Sequence, residues 1–368
     1  MHADRVTTAE RAEGTGLRSG WTTGACATAA TTAAYTALLT GEFPDPVPID
    51  LPKDRHPSFA LATEHLADGA ASAGVVKDAG DDPDVTHGAL VSARVTSGAP
   101  GSGVVFRAGE GVGTVTKPGL PLDVGEPAIN PVPRRLIREH VAAVAARHGG
   151  SGDVVVEISV ENGAELARRT WNPRLGILGG LSILGTTGVV VPYSCSAWID
   201  SIRRGIDVAR AAGYAHVAGC TGSTSEQTVQ RLHGLPEDAL LDMGDFAGAV
   251  LKYLRRHPVP RLTVAGGIGK LAKLADGHLD LHSGRSQVSL ESLAARVRAA
   301  GGAADLVAGV RAANTALDAL RQCQAAGLPL GDLVAAAARE TALEVLRGAP
   351  VAVDVVVIDR AGAVVGRA

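Results

Sequence analysis

Aromatic side chains are scarce in this chain: four Phe, four Tyr and three Trp in 368 residues. So few rings offer no base-stacking surface, and a net charge of -3 offers no basic field for a phosphate backbone, so nucleic acid is excluded as a partner. Cysteine is equally sparse. Cys26, Cys195, Cys220 and Cys323 show neither CxxC spacing nor the density of a disulfide scaffold, which suits a reducing compartment, and each reads as a small buried hydrophobe. No run approaches the ~20 apolar residues of a membrane span, and residues 1–14 are polar, without the apolar centre of a signal peptide or anchor. These absences predict a soluble, cytoplasmic protein. Hydrophobic residues nevertheless make up 46% of the chain, so the core must be built mainly from Ala, Val and Leu, and the length suits two or three domains.

Residues 25–39 form a helical pattern rich in Ala and Thr, with Thr22 or Thr23 as its cap and Gly41 beyond its end. Short β-type runs at 47–51, 91–95 and 104–107, broken by Gly and Pro, predict sheet with long loops. Pro133 stands where a first helical turn is expected, that helix runs to about His148, and 154–160 returns as a buried strand. The second half alternates: a helix over 196–212, then strands at 216–220, 240–241 and 262–265, each followed by a small-residue loop and a helical pattern. Such alternation specifies a parallel α/β unit whose ligands sit at the carboxyl ends of its strands. Helices at 289–300, 303–325 and 331–347 and a hairpin of 351–358 with 363–365 close the chain. The fold class is α/β. A boundary near Asn172 gives an α+β first domain over 15–172 and a parallel α/β second domain over 173–348, with the 349–368 hairpin able to join the first.

The densest chemistry lies in Lys77-Asp78-Ala79-Gly80-Asp81-Asp82-Pro83-Asp84-Val85-Thr86-His87-Gly88. Carboxylates this close repel unless amides, hydroxyls, cations or water satisfy them. The segment is either a solvated acidic turn or a polar site for a ribose diol, a proton or a cation. An EF-hand loop is excluded, because glycine stands third rather than sixth. Thr221-Gly222-Ser223-Thr224-Ser225-Glu226 joins a strand to a helix; Ser223 and Glu226 have capping-box spacing, and free amides there suit a carboxylate or phosphate. Asp242 lies twenty residues after Gly222, near the usual distance for a ribose-binding acid, and Asp245 competes for that role. Gly266-Gly267-Ile268-Gly269-Lys270 has Val264 where a P-loop needs glycine and Leu271 where it needs Ser or Thr, so ATP is rejected and a close-approach turn with one cation remains. Gly176, Gly179, Gly180, Gly185 and Gly188 serve either backbone packing or a backbone wall against a flat ligand. His278, Asp280 and His282 lack a fourth ligand and read as solvated. A helix terminus could lower the Cys26 pKa, although core packing is the better reading.

Several segments, in order, resemble the CbiD family of methyltransferases of anaerobic cobalamin biosynthesis. Besides the Asp78 cluster they are Gly20-Trp21-Thr22-Thr23-Gly24-Ala25-Cys26, Gly109-Glu110-Gly111-Val112-Gly113, Thr116-Lys117-Pro118-Gly119-Leu120-Pro121, Gly125-Glu126-Pro127-Ala128-Ile129-Asn130-Pro131-Val132-Pro133-Arg134, Asn172-Pro173-Arg174-Leu175-Gly176-Ile177, Ser182-Ile183-Leu184-Gly185-Thr186-Thr187-Gly188, Met243-Gly244-Asp245-Phe246 and Gly267-Ile268-Gly269-Lys270-Leu271, spread over about residues 17–285. The resemblance implies methyl transfer from S-adenosylmethionine, the cosubstrate, to C1 of cobalt-precorrin-5B, giving cobalt-precorrin-6A, on a two-domain α/β protein with a Rossmann-like second half. The implied partner is the small cobalt-precorrin, with no nucleic acid and no membrane; a homo-oligomer is compatible with this. No metal belongs to the protein itself, since the cobalt travels with the substrate. Cofactor-binding residues are then Thr221, Gly222, Ser223, Thr224, Glu226, Asp242, Asp245, Gly266, Gly267 and Gly269. The macrocycle's acetates and propionates call for cations and polar groups around an apolar floor, which assigns Thr22, Thr23, Gly24, Asp78, Asp84, Lys117, Arg134, Arg174, Thr186, Thr187 and Lys270 to the substrate. A general base is sought in Asp81, Asp82 and His282. The rival reading is a non-catalytic tetrapyrrole carrier or assembly partner, which needs no cofactor pocket; a nicotinamide-dependent reductase is disfavoured by the missing dinucleotide fingerprint.

Overall fold

The computed structural model describes residues 16–67 and 69–368, so the polar N-terminal stretch lies outside the described residues. The chain divides into two compact units, 1–196 and 197–368. No helix among the described residues is long and apolar enough to cross a membrane.

In the first unit the Ala- and Thr-rich segment forms helix α1 (Thr23–Thr40), buried on nearly all sides. Thr28, Thr31, Thr32, Thr36 and Thr40 each donate a hydroxyl to the carbonyl four residues earlier at 2.8 Å, so no hydroxyl is stranded in the core. Thr22 is the cap, its Oγ1 accepting from the Ala25 amide at 3.2 Å. This slim rod lies on a sheet of β1 (Thr63–Ala67), β2 (Ala70–Val76), β3 (Leu90–Ser97), β4 (Val104–Ala108) and β5 (Val154–Val160), in spatial order β1-β2-β3-β5-β4. β4 runs parallel to β5 and the other pairings are antiparallel. Alternate residues point at α1: Ala71, Ala73 and Val75, then Val91, Ala93 and Val95, then Val154, Val156, Ile158 and Val160. Alanine at the facing positions of helix and sheet permits their close approach. Helix α2 (Pro131–His148) packs on α1.

Helix α3 (Cys195–Ala211) leads to the second sheet, whose strands are β6 (His216–Cys220), β7 (Leu240–Asp242), β8 (Arg261–Gly267), β9 (Ala352–Ile358) and β10 (Val364–Arg367). Their spatial order is β7-β6-β8-β9-β10, with β10 antiparallel to β9 and all other pairs parallel. Read in order along the chain, this is the 2-1-3-4-5 doubly wound arrangement, whose topological switch point falls between β6 and β8. Helices α4 (Ser223–His233), α5 (Ala247–Leu254), α6 (Ile268–Ala275), α7 (Leu290–Ala299), α8 (Ala304–Arg311), α9 (Ala316–Ala325) and α10 (Leu330–Leu346) surround it. One face buries Val217, Leu262, Val264, Val353 and Val355 with residues of α3, α5, α6 and α10; the other buries Ala218, Cys220, Ala265 and Val356 with Val229 of α4.

Three boundaries differ from expectation. The 349–368 segment completes the second sheet and does not join the first unit, because β9 pairs in parallel with β8 along its whole length and its Val353, Val355, Val356 and Val357 are buried there. The units part at 196/197 rather than near Asn172, since Ile177–Leu178 pairs with Thr114–Val115 and Val189–Val190 with Gly20–Trp21. The single helix expected over 303–325 is two, α8 and α9, separated where Thr315 caps α9 by accepting from the Asp318 amide at 3.1 Å.

Candidate functional site

At the switch point β6 ends at Cys220, and Thr221 and Gly222 carry the chain into α4; β8 runs to Gly267, which opens directly into α6. Gly222 and Gly267 are the caps of these helices, and neither start has a side-chain cap among the described residues. Uncapped first-turn amides leave the positive ends of two helix dipoles side by side. A cleft of about 830 Å³ opens there, lined by residues 221–225, 267–270, 314–317 and 358–360 with Lys273, Ser283 and Gln287. That volume is typical of a small-molecule site, ~300–1,000 Å³. Gly222 borders its open space, for a Cβ added there meets nothing within 4 Å, whereas a Cβ on Gly266 would come 2.5 Å from Thr221 Oγ1. Lys270 cross-links the two loops, donating to the Thr221 carbonyl at 3.1 Å and pairing with Asp245 at 3.1 Å.

Of the expected cofactor residues, Thr221, Gly222, Ser223, Thr224, Gly267 and Gly269 line the cleft, and Glu226, Asp242, Asp245 and Gly266 do not. Lys270, assigned above to the substrate, lines it as well. The capping box is not formed, because the extended chain reaches Gly222 before turning helical, which makes Ser223 the first residue of α4 and moves Glu226 one position too far along. Sequence reasoning missed residues 314–317, Asp359 and Arg360. The signal for Asp359 was available, since it directly follows a parallel strand, but it is hidden when that strand is read as half of a hairpin. His282 is exposed, its Nδ1 accepting from the Gly284 amide at 3.1 Å, and it does not line the cleft.

In the first unit the start of α1, the acidic loop and residues 184–193 converge. Arg18 grips Asp78 through both guanidinium nitrogens; this hydrogen bonding, with the Gly80 amide at 2.9 Å, draws the Asp78 carboxyl down to about 2. Asp81 accepts from the Arg18 amide at 2.6 Å and Asp82 from the Tyr193 amide at 2.8 Å. Lys77 is 1% exposed, and its Nζ meets Asp84 at 2.8 Å. Burial alone would raise the Asp84 carboxyl, but the Lys77 charge and hydrogen bonds from the Thr86 amide and hydroxyl outweigh it and hold the group below its ordinary value. All four carboxylates of the loop thus hold cations or backbone, and the two expected as bases, Asp81 and Asp82, serve here as clamps. Gly80, at φ +67, lies so close to the backbone of residues 18–20 that a Cβ would fall 2.1 Å from the Arg18 carbonyl. Tyr193, at φ +56 and 68% exposed, is a strained aromatic residue at the edge of this region.

The expected substrate residues divide. Thr23 exchanges hydrogen bonds with Leu184, and Thr22 and Gly24 donate amides to the Gly188 and Leu184 carbonyls, so this trio fastens the 184–188 loop. A Cβ on Gly185 would lie 2.2 Å from Thr22 Oγ1, which is close packing rather than a free backbone wall. Thr186 is exposed, and Thr187 bonds to Val189. Arg134 donates to the Ile129 and Pro127 carbonyls and to Glu126, and lies over Phe106 at 5.2 Å, so it braces residues 126–129. Arg174 stacks on Trp171 at 4.5 Å, and the Lys117 stem packs against Gly176. Burial pushes the Cys26 thiol up to about 12, the opposite of activation.

A doubly wound unit with a cleft at its switch point is the architecture of a protein that takes a small molecule at the carboxyl ends of its strands. Two family models match the chain, CbiD over residues 10–192 and the CbiD C-terminal domain over 280–368. It is 63% identical over 352 residues to a cobalt-precorrin-5B C(1)-methyltransferase of Paramagnetospirillum magneticum, covering 96% of this chain and 98% of that protein. It is 60% identical to the protein of that name from Brucella anthropi over 367 residues, with both chains fully covered. A crystal structure of a cobalamin biosynthesis protein from Archaeoglobus fulgidus is similar at 27% identity, over 72% of this chain and 84% of that one, with a TM-score of 0.39. The chain belongs to the CbiD family.

Proposed function

We propose that this chain is an S-adenosylmethionine-dependent methyltransferase that methylates C1 of cobalt-precorrin-5B, giving cobalt-precorrin-6A in cobalamin biosynthesis. The observation that carries the cofactor half of the reading is the switch-point cleft with two uncapped helix starts. These residues fit S-adenosylmethionine: the amides of residues 223–225 suit its carboxylate and Gly222 leaves room for close approach, while Asp242, at the carboxyl end of the adjacent β7 but outside the cleft lining, is the candidate for its ribose hydroxyls. When bound, it supplies a methyl group already activated on a sulfonium. The chain's own work is then to orient and to exclude water. Lys270 and Asp245 fix the two cofactor loops relative to each other. Asp81 and Asp82 position the Arg18 and Tyr193 segments, whose cation and ring suit a flat polycarboxylate such as the macrocycle. The names carried by relatives that align with the whole chain support the substrate. Calorimetric titration with S-adenosylmethionine tests the reading. Saturable binding of one cofactor per chain is expected; a heat-silent titration, with methyl transfer to cobalt-precorrin-5B also absent, would point to the carrier instead.

A further inference from the structure

The face of the second sheet that lies under α4 is apolar near the cleft and polar at its other end. Ala218, Cys220, Ala265 and Val356 form the apolar part. His216, Thr263 and Asp354 stand two residues earlier on β6, β8 and β9 and so project from the same face. His233, the last residue of α4, comes down on them, its ring 4.9 Å from that of His216. One ring nitrogen from each histidine and one Asp354 oxygen lie within 4.8 Å of one another. Asp354 Oδ1 is occupied, accepting from Arg261 Nε and from the Thr263 hydroxyl at 3.0 Å each. Asp354 Oδ2 and His233 Nε2 are buried, have no hydrogen-bond partner and stand 3.6 Å apart, and the His233 side chain is only 9% exposed. Two neighbouring polar atoms left unsatisfied in an interior require a reason.

We propose that His216, His233 and Asp354 form a binding site for a divalent transition-metal ion of the zinc class, which pins the end of α4 to the sheet. Two imidazoles and a carboxylate are a donor set zinc accepts, with a fourth position left for water, and side-chain movements of under about 1 Å bring such donors to zinc distances of about 2.0–2.2 Å. The ion gives both orphaned atoms a partner. Thr263, which meets His216 Nε2 at 2.8 Å as well as Asp354, orients two of the three ligands from behind. The neighbouring cations leave room for it: Arg261 is held on Oδ1, and Arg367, 3.8 Å from Oδ2 and partly exposed, can turn to solvent. The site lies at the strand ends away from the cleft, so its task is structural, fixing the helix whose first turn borders the cleft.

The test is equilibrium dialysis of the chelator-stripped full chain against Zn²⁺ alone, followed by metal analysis and a thermal melt. Expected are one bound ion per chain and a raised Tm, both lost in His233→Ala and in Asp354→Asn. Thr263→Val, nearly isosteric, should fold and weaken zinc by about 10–100-fold, a loss that a merely structural hydroxyl would not produce. Co²⁺ in place of zinc should give the visible absorption of a tetrahedral nitrogen–oxygen site. Failure of the intact chain to take up stoichiometric zinc would overturn the proposal. So would zinc that persists in both ligand variants, or zinc that disappears only on alkylation of the partly accessible Cys195.

Discussion

Among single residues, Lys77 is the most constrained charge in the first unit: an ammonium at 1% exposure whose counter-charge is Asp84. Removing one member of such a pair strands the other in the interior, so Asp84→Asn should cost about 3–5 kcal/mol in urea denaturation, far more than an exposed acid would. Because the folded-state pKa of Asp84 lies below its ordinary 3.8, its contribution is complete above that value and fades as pH falls beneath it. The wild type should therefore lose stability on acidification below about 3.8 by an amount the variant does not show. Equal stability of the two proteins at pH 7 would reduce the pair to a surface contact. The density of carboxylates was legible in the sequence, but their partners were not. Arg18, sixty residues from Asp78, and Tyr193, 111 residues from Asp82, reach the loop only through the fold.

At the level of elements, legibility followed locality. Strand β5 was placed to the residue, because its alternation of buried and half-buried positions is written in the chain itself. Strand β2, Ala-Ala-Ser-Ala-Gly-Val-Val, carries little β-propensity, and its pairing with β1 and β3 decides its state. The break between α8 and α9 is masked by alanine on both sides, although Thr315 followed three residues later by Asp318 was a usable cap signature. The two glycine loops that line the cleft were legible as strand-to-helix turns because each joins a strand to the next helix over a few residues. Residues 314–317 were not, since they reach the cleft from a distant part of the chain. At the first loop, Gly222→Val should leave the melting temperature nearly unchanged, as its backbone is extended and its added side chain enters open space. It should weaken S-adenosylmethionine by at least about tenfold, or 1.4 kcal/mol, in the calorimeter. Unchanged affinity in the folded variant would move the methionyl carboxylate away from α4.

Over the whole molecule the four thiols provide a check on the packing. Cys26, Cys220 and Cys323 are fully buried, in both units, and Cys195 alone is partly accessible. Mass spectrometry after brief alkylation at neutral pH should find one modified cysteine per folded chain, at Cys195, and four after denaturation. Early modification of Cys26 would contradict the tight packing at the start of α1. The order in which the two units can mature follows from the position of β9. Everything the first unit contains is available once residue 196 has been made, so it can fold while synthesis continues. The second cannot, because β8 keeps an open edge until residues 352–358 have been made and settle beside it. A nascent chain stopped short of them would hold both glycine loops already translated and still have no finished wall behind them, its exposed strand edge open to aggregation and proteolysis.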